Sequence, residues 1–219
     1  MTAAVLAGTP VDTRMGVDLL SAHGLAGLPF PLSRDPLSQT AFQLSAPAEK
    51  TAAVRRVLEE AMAQGCDRAF VYCNSLSSAV DFSPLAEETG LRIVTPLEIY
   101  RSLAPRYGRL GLIAANAQGL AGIERALYDA NPALELLGAC LLPAVVSIEA
   151  GIDPEALVER HGLPALAAWF RQCGMEALVL GCTHFPYFKA ALALRTALPL
   201  IDPAEEMVRA LDAPGPGGR

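Results

Sequence analysis

The sequence lacks the features that mark several large classes of protein. No run of about 18 consecutive apolar residues is present, so no membrane-spanning helix is expected. Only 18% of the 219 residues are charged, the charges are scattered and the formal net charge is −6, which argues against nucleic-acid binding. The first ten residues have no basic segment and no cleavage pattern, so we expect a cytoplasmic protein. Hydrophobic residues make up 52% of the chain, which predicts a large core rather than disorder.

Motifs for common cofactors are also missing. There is no Walker-type GK[ST] loop and no GxGxxG segment, so no nucleotide-binding loop is predicted. No pair among the five cysteines has the CxxC spacing of the commonest zinc and thioredoxin-like motifs. The odd number of cysteines and the lack of an export signal argue against a disulfide framework. We therefore expect neither cofactor nor metal, and we expect Cys66, Cys140 and Cys173 to be core thiols.

Short apolar runs alternate with segments of helical periodicity along the whole chain. Strands are predicted over 3–7, 69–72, 93–94, 110–114, 177–180 and 199–201, and 141–146 is a mixed apolar run. Helices are predicted over 50–64, 77–88, 97–103, 119–128, 154–160, 163–172, 187–197 and 204–211. This alternation predicts an α/β fold of parallel sheets flanked by helices. Residues 213–219 form a Pro- and Gly-rich segment, which we expect to be a flexible tail.

Two strand ends carry matching cysteine segments. The run 68–75, RAFVYCNS, and the run 177–184, ALVLGCTH, each place a Cys and two polar residues after a buried-type strand. The positions of Cys73 and Cys182 differ by 182 − 73 = 109, about half the chain. A Cys at the turn into a helix faces backbone N–H groups, which favour the thiolate. Two such thiols on opposite sides of one cleft could remove a proton from one face of a carbon and return one to the other.

The CNS and LGCTHFP segments resemble the paired signatures of the cofactor-independent aspartate/glutamate racemase superfamily, and glutamate racemase in particular. The resemblance implies two pseudo-symmetric α/β halves with the active site in the cleft between them. It assigns 1–97 and 199–219 to the first half and 98–198 to the second. It also implies a homodimer and an amino-acid or related carboxylate substrate, with no nucleic-acid or membrane partner.

The resemblance further implies roles for individual residues. Cys73 and Cys182 match the two catalytic acid/base thiols. The catalytic groups around them that the resemblance implies are His184, which assists proton transfer, Glu149, the acidic partner of that histidine, and Asp12, which with Thr13 matches an Asp-Ser pair that meets the substrate amine. The substrate-binding positions that it implies are Thr13, Pro36, Leu37, Ser38, Asn74, Ser75, Asn116, Gln118 and Thr183.

Three departures from the superfamily pattern bear on the substrate. Asp12 comes several residues after the first strand, Leu37-Ser38 replaces a Tyr-Gly pair, and 115–118 replaces a loop rich in threonine. A distal substrate group other than that of glutamate is therefore possible. The alternatives are a related isomerase, a hydantoin racemase or a decarboxylase on the same scaffold, or a non-catalytic protein that binds a small ligand.

Overall fold

The computed structural model describes residues 1–213, and residues 214–219 of the expected tail lie outside the described part. The strands are β1 (Thr2–Ala7), β2 (Ala26–Pro31), β3 (Arg68–Val71), β4 (Arg92–Val94), β5 (Arg109–Ala114), β6 (Glu135–Cys140), β7 (Ala177–Gly181) and β8 (Leu200–Ile201). The helices are α1 (Pro10–Ala22), α2 (Pro36–Leu44), α3 (Pro47–Ala63), α4 (Asn74–Ala79), α5 (Ser83–Thr89), α6 (Pro96–Leu103), α7 (Ala117–Ala130), α8 (Leu142–Glu149), α9 (Pro154–Arg160), α10 (Leu163–Gln172), α11 (Pro186–Ala193) and α12 (Ala204–Asp212). A short 3₁₀ turn spans Ala104–Arg106.

The strands form two parallel four-stranded sheets with the same topology. The first has the order β2-β1-β3-β4 and the second the order β6-β5-β7-β8, so each strand of one sheet has a counterpart in the other. The strands at the centre of each sheet are almost wholly buried, as expected for parallel strands covered on both faces. The expected α/β fold with two pseudo-symmetric halves is confirmed.

Each sheet has a hydrophobic cluster on both of its faces. In the first half, one cluster contains Val54, Leu58 and Val71, and the other contains Val5, Phe70 and Met207. In the second half, the two clusters are built around Phe170 with Leu178 and around Leu112 with Val179. Because the cores of the two halves are separate, the polar surfaces between them remain free to form a site.

The C-terminal segment divides between the halves instead of belonging wholly to the first. Strand β8 pairs with β7 of the second sheet, with Leu178 opposite Leu200. Helix α12 then returns and packs Met207 and Val208 into the first-half core. The expected assignment of 199–219 therefore differs from the structure at β8, because the final strand completes the second sheet before the chain crosses back.

Several elements depart from the sequence-based expectations. The sequence analysis missed four elements, namely α1, β2, α2 and β6. The single helix predicted over 77–88 is two short helices, α4 and α5. The mixed apolar run 141–146 lies largely within α8. Cys66 is buried as expected, but Cys173 is only partly buried and Cys140 is exposed. The prediction of a core thiol was wrong for Cys140, because this residue ends the edge strand β6, which is covered less completely than the central strands.

Candidate active site

A narrow cleft lies where the carboxyl ends of the two sheets meet. Cys73 follows β3 and Cys182 follows β7, and these two strands occupy the same position in their sheets. Both cysteines line the cleft, together with Gly8, Thr9, Asp12, Pro36, Gln39, Thr40, Gln43, Asn74, Ser75, Ala115, Asn116, Gly119, Leu142, Val145, Gly181, Thr183 and His184. The free volume is about 40 Å³, the space of a few water molecules. A ligand larger than a few water molecules therefore needs more space than the cleft offers in this conformation.

Cys73 is the N-cap residue of α4 and is 5% exposed. Its sulfur lies 3.5 Å from the Ser75 hydroxyl and 3.9 Å from Nε2 of Gln39. Burial, together with the charge of Asp12, raises the pKa of Cys73 to about 12, despite the opposing hydrogen bonds from Ser75 and the backbone of Leu76. The backbone N–H of Leu76 at the helix start lowers the pKa of Cys73, in the direction expected from the sequence, but desolvation outweighs it. Cys73 is a neutral thiol at neutral pH.

Cys182 belongs to a chain of contacts in the second half. Its sulfur lies 3.7 Å from Nδ1 of His184, whose Nε2 lies 3.0 Å from Oε1 of Glu149. Burial lowers the pKa of His184, but the hydrogen bonds to Cys182 and Glu149 outweigh burial and raise it to about 10. His184 is therefore protonated at neutral pH and places a positive charge beside the second sulfur.

Asp12 lies on the first-half wall, in the first turn of α1. Its carboxylate accepts hydrogen bonds from the backbone N–H of Thr9 at 2.6 Å and of Gly8 at 3.2 Å. Burial raises the pKa of Asp12, and the charge of His184 and the bonds from Thr9 and Gly8 oppose this rise. Asp12 is thus both part of the capping box that starts α1 and a group of the cleft.

The amide of Asn74, which is 3% exposed, and the buried hydroxyl of Tyr100 both lack a hydrogen bond of good geometry among residues 1–213. The two groups lie close enough for Asn74 to oppose the rise that burial causes in the pKa of Tyr100. Leaving a buried polar group unpaired costs about 1–3 kcal/mol. Both the oxygen and the nitrogen of the Asn74 amide are unpaired, and Asn74 lines the cleft beside Cys73. An unpaired buried amide in a cleft is suited to a ligand that supplies the missing partners.

One wall of the cleft comes from a helix that the sequence analysis missed. Gln39 and Gln43 are buried on one face of α2, four residues apart. Gln43 donates to the Ser75 hydroxyl at 2.6 Å and accepts from Nδ2 of Asn116 at 2.8 Å, so it joins the two halves across the cleft. Asp35, with Ser38 three residues later, forms a capping box at the start of α2, and this pattern was the readable signal for the helix.

The structure brings most of the predicted site residues together, but not all of them. Glu149 reaches the cleft through His184, and four predicted substrate-binding residues do not line it: Thr13, Leu37, Ser38 and Gln118. Thr13 bonds the carbonyl of Thr9 within α1, and Ser38 is occupied in the cap of α2. Leu37 is 70% exposed, because α2 turns this position to solvent.

No Lys or Arg is among the cleft-lining residues of the described chain, so His184 is the cation of the site. Within residues 1–213, no cluster of three or more His, Cys, Asp or Glu side chains is arranged to hold a metal ion. A substrate carboxylate would therefore be held by neutral donors, such as amides, hydroxyls and backbone N–H groups. No helix within residues 1–213 is both long and apolar enough to cross a bilayer.

The model of the Asp/Glu/hydantoin racemase family matches residues 48–211. The chain belongs to this family. The family match begins after α2, so Thr9, Asp12 and the glutamines of α2 lie outside the matched residues.

Comparison with individual members supports the same assignment. Glutamate racemase of Thermus thermophilus is 35% identical over 167 residues, which cover 71% of this chain and 61% of that protein. The chain thus spans about three fifths of the length of the curated relatives that it matches first. Glutamate racemase of Francisella tularensis, solved with D-glutamate, has a TM-score of 0.68 at 17% identity over 95% of this chain and 79% of that chain. Aspartate racemase of Picrophilus torridus has a TM-score of 0.69 at 15% identity over 96% and 92%. At 17% and 15% identity, these two structures show only that the chain shares their fold.

Proposed function

We propose that this protein is a cofactor-independent amino-acid racemase that inverts the α carbon by proton transfer between Cys73 and Cys182. The observation that carries the proposal is that these cysteines, at the ends of equivalent strands, line one cleft between the halves. Because the walls come from opposite halves, a substrate between them would meet one sulfur on each face. Membership of the racemase family supports the same chemistry.

The surroundings of the two sulfurs assign their resting roles. The raised pKa of Cys73 makes it the thiol that donates a proton. We propose Cys182 as the base that removes the α proton, because its sulfur lies 3.7 Å from Nδ1 of the protonated His184. For the opposite enantiomer the two sulfurs exchange roles, and His184 then shares the proton that Cys182 must deliver.

Neutral donors stabilise the transition state, in which negative charge grows toward the carboxylate. The Asn74 amide, with its unpaired donor and acceptor, together with Ser75 and Thr183, is placed to hold the α-carboxylate. One preorganised donor of this kind contributes roughly 3 kcal/mol. Asp12 is the anion available to the α-amino group.

We propose an acidic or related amino acid as the substrate. The relatives named above are glutamate and aspartate racemases, which supports this class. Thr40, Gln43 and Asn116 bridge the two halves at the cleft and would meet the distal substrate group with hydroxyl and amide donors. Aspartate, glutamate and their amides are the compounds to compare first.

We also propose that the protein acts in the cytoplasm as a homodimer. Its five cysteines are free thiols, which supports a reducing compartment. Light scattering on the purified protein tests the dimer, and a mass equal to one chain would contradict it.

Incorporation of deuterium at the α carbon tests the reaction whichever amino acid is the substrate. A panel of D- and L-amino acids is incubated with the protein in heavy water and followed by NMR. We expect incorporation and inversion for at least one compound, and loss of inversion in Cys73→Ala and Cys182→Ala. Cys140→Ser, at an exposed position outside the cleft, serves as the control that retains activity. Ligand-dependent stabilisation with no incorporation would mean a binding protein, and release of carbon dioxide would mean a decarboxylase.

A further inference from the structure

Thr9 makes a contact across the cleft that the sequence did not predict. It follows β1, caps α1 and is 2% exposed. Its hydroxyl oxygen lies 2.5 Å from Oε1 of Glu149, a residue 140 positions later in the other half. The same Glu149 oxygen lies 3.0 Å from Nε2 of His184. Thr9 therefore connects the first half to the acid/base group beside Cys182.

The single hydroxyl proton of Thr9 has two possible acceptors. Oδ1 of Asp12 lies 3.1 Å from the Thr9 hydroxyl, farther than Oε1 of Glu149. Asp12 already accepts backbone N–H groups from Thr9 and Gly8, whereas the other side-chain partner of Glu149 is His184. A hydroxyl that donates to a carboxylate typically lies about 2.5–2.7 Å from it. The Thr9 hydroxyl therefore donates its hydrogen bond to Glu149 and not to Asp12.

We propose that Thr9 is a positioning residue for racemisation: its hydroxyl orients Glu149 across the cleft, and Glu149 in turn holds protonated His184 against Cys182. This inference rests on the proposed function. The contact joins the acid/base group of the second half to the N-terminal end of α1 in the first half.

The cap of α1 is a competing, purely structural role for Thr9. Its hydroxyl accepts the backbone N–H of Asp12 at 3.4 Å, a long hydrogen bond. Asp153 caps α9 in the same way, accepting two backbone N–H groups, and it does not line the cleft. Asp153→Ala is therefore a matched control, because it removes a helix cap without touching the site.

The experiment measures kcat and KM for the best substrate of the deuterium panel. In Thr9→Val, which keeps the branched shape but lacks the hydroxyl, we expect kcat to fall at least about 10-fold while KM changes by less than about 2-fold. Thr9→Ser should restore kcat to within about 3-fold of the unmodified protein. In a Glu149→Ala background, Thr9→Val should cause little further loss, because the acceptor of the Thr9 hydroxyl is already absent. If Thr9→Val is too unstable, Thr9→Gly replaces it, since glycine is tolerated at the N-cap and has no side-chain donor.

Two results would overturn the inference. The first is a kcat of Thr9→Val equal to that of the unmodified protein, or lowered no more than in Asp153→Ala when the two lose equal thermal stability. The second is full additivity of Thr9→Val with Glu149→Ala. Failure of the proposed function gives a different result, namely no deuterium incorporation by the unmodified protein with any compound of the panel.

Discussion

Nε2 of His184 lies 3.0 Å from Oε1 of Glu149, and the two side chains are only 5% and 14% exposed. In this setting the carboxylate stabilises a proton that burial alone would remove from the imidazole. The second half thus carries a buried positive charge, and the first half carries a buried neutral thiol at Cys73. Both cysteines follow equivalent strands, so their different surroundings come from the neighbouring side chains: His184 lies beside Cys182, whereas Ser75 and Gln39 lie beside Cys73.

The first prediction concerns the pH dependence of stability. Folding raises the pKa of His184 from its ordinary value of 6.5 to about 10. The group therefore stabilises the fold fully below about pH 6.5, and this contribution is lost as the pH rises toward 10. We expect the free energy of unfolding, measured in urea, to fall between pH 7 and 9, and this fall to disappear in His184→Gln. His23→Gln is the control, because His23 forms an exposed pair with Glu205 and should leave the slope almost unchanged.

The second prediction concerns the thiol of Cys73. The charge of Asp12 contributes to its raised pKa, so Asp12→Asn should lower that pKa. We expect iodoacetamide to modify Cys73 faster in the variant at pH 8–9, as measured by mass spectrometry. Cys66 is equally buried and lies in the first-half core, so its rate serves as an internal reference. Equal acceleration at both cysteines would instead indicate general loosening of the first half.

The third prediction separates stability from activity at Asn74. Because its buried amide lacks partners, Asn74→Ala should change the free energy of unfolding by less than about 1 kcal/mol while lowering deuterium incorporation at least about 100-fold. Asn131→Ala is the contrasting variant. The amide of Asn131 donates to the carbonyls of Ala104 and Tyr107, so its loss should cost about 1–2 kcal/mol and leave activity intact. A large loss of stability in Asn74→Ala would contradict the view that this amide is reserved for a ligand.

The fourth prediction concerns the packing of α4 against α7, where the halves meet beside the cleft. A Cβ atom at Gly122 would come within 1.9 Å of the Ser78 hydroxyl and 2.1 Å of its Cβ. Gly122→Ala should therefore force the helices apart and destabilise the protein by about 1–3 kcal/mol in thermal or urea unfolding. Adding Ser78→Gly should recover much of this loss, whereas Ser78→Ala should not, because alanine keeps the clashing Cβ. Equal recovery of stability with Ser78→Gly and Ser78→Ala would show that the Cβ atom of residue 78 does not cause the clash.

The fifth prediction distinguishes the two faces of α2. Gln43 is buried in the cleft and bridges Ser75 and Asn116, whereas Leu37 points to solvent. We expect Gln43→Ala to lower kcat/KM at least about 10-fold, and Leu37→Ala to change it by less than about 2-fold. A larger loss of kcat/KM in Leu37→Ala than in Gln43→Ala would contradict this prediction and would support the sequence-based choice of Leu37 as a substrate-binding residue.

The parts of the fold that the sequence predicted have strong local signals. The runs that end at Cys73 and Cys182 are continuous apolar segments bounded by polar residues, so both strands were predicted near their observed limits. Strand β6 was missed because the apolar run over 136–142 continues past the strand into α8, so no polar residue marks where this edge strand ends. Helix α2 was missed because Pro36 to Ser38 was interpreted as a substrate-binding loop, although Asp35 and Ser38 form a capping box.

The site could be predicted only in part, because several of its contacts join residues far apart in sequence. The cysteines and their neighbours carry a motif, whereas the bond between Thr9 and Glu149 spans 140 positions and has no local pattern. The state of Cys73 depends on how completely the folded protein excludes water. A spacing rule cannot supply that quantity, so the sequence could predict the donor at the helix start but not the larger effect of burial.

The chain crosses between the two sheets twice, once between β4 and β5 and once between β8 and α12. Both connections tie the same two halves together, so each limits how far one half can slide past the other. We therefore expect the cleft to open mainly by rotation of the halves about the two crossings. A tether at two points would keep the sulfur atoms of Cys73 and Cys182 in register across the cleft.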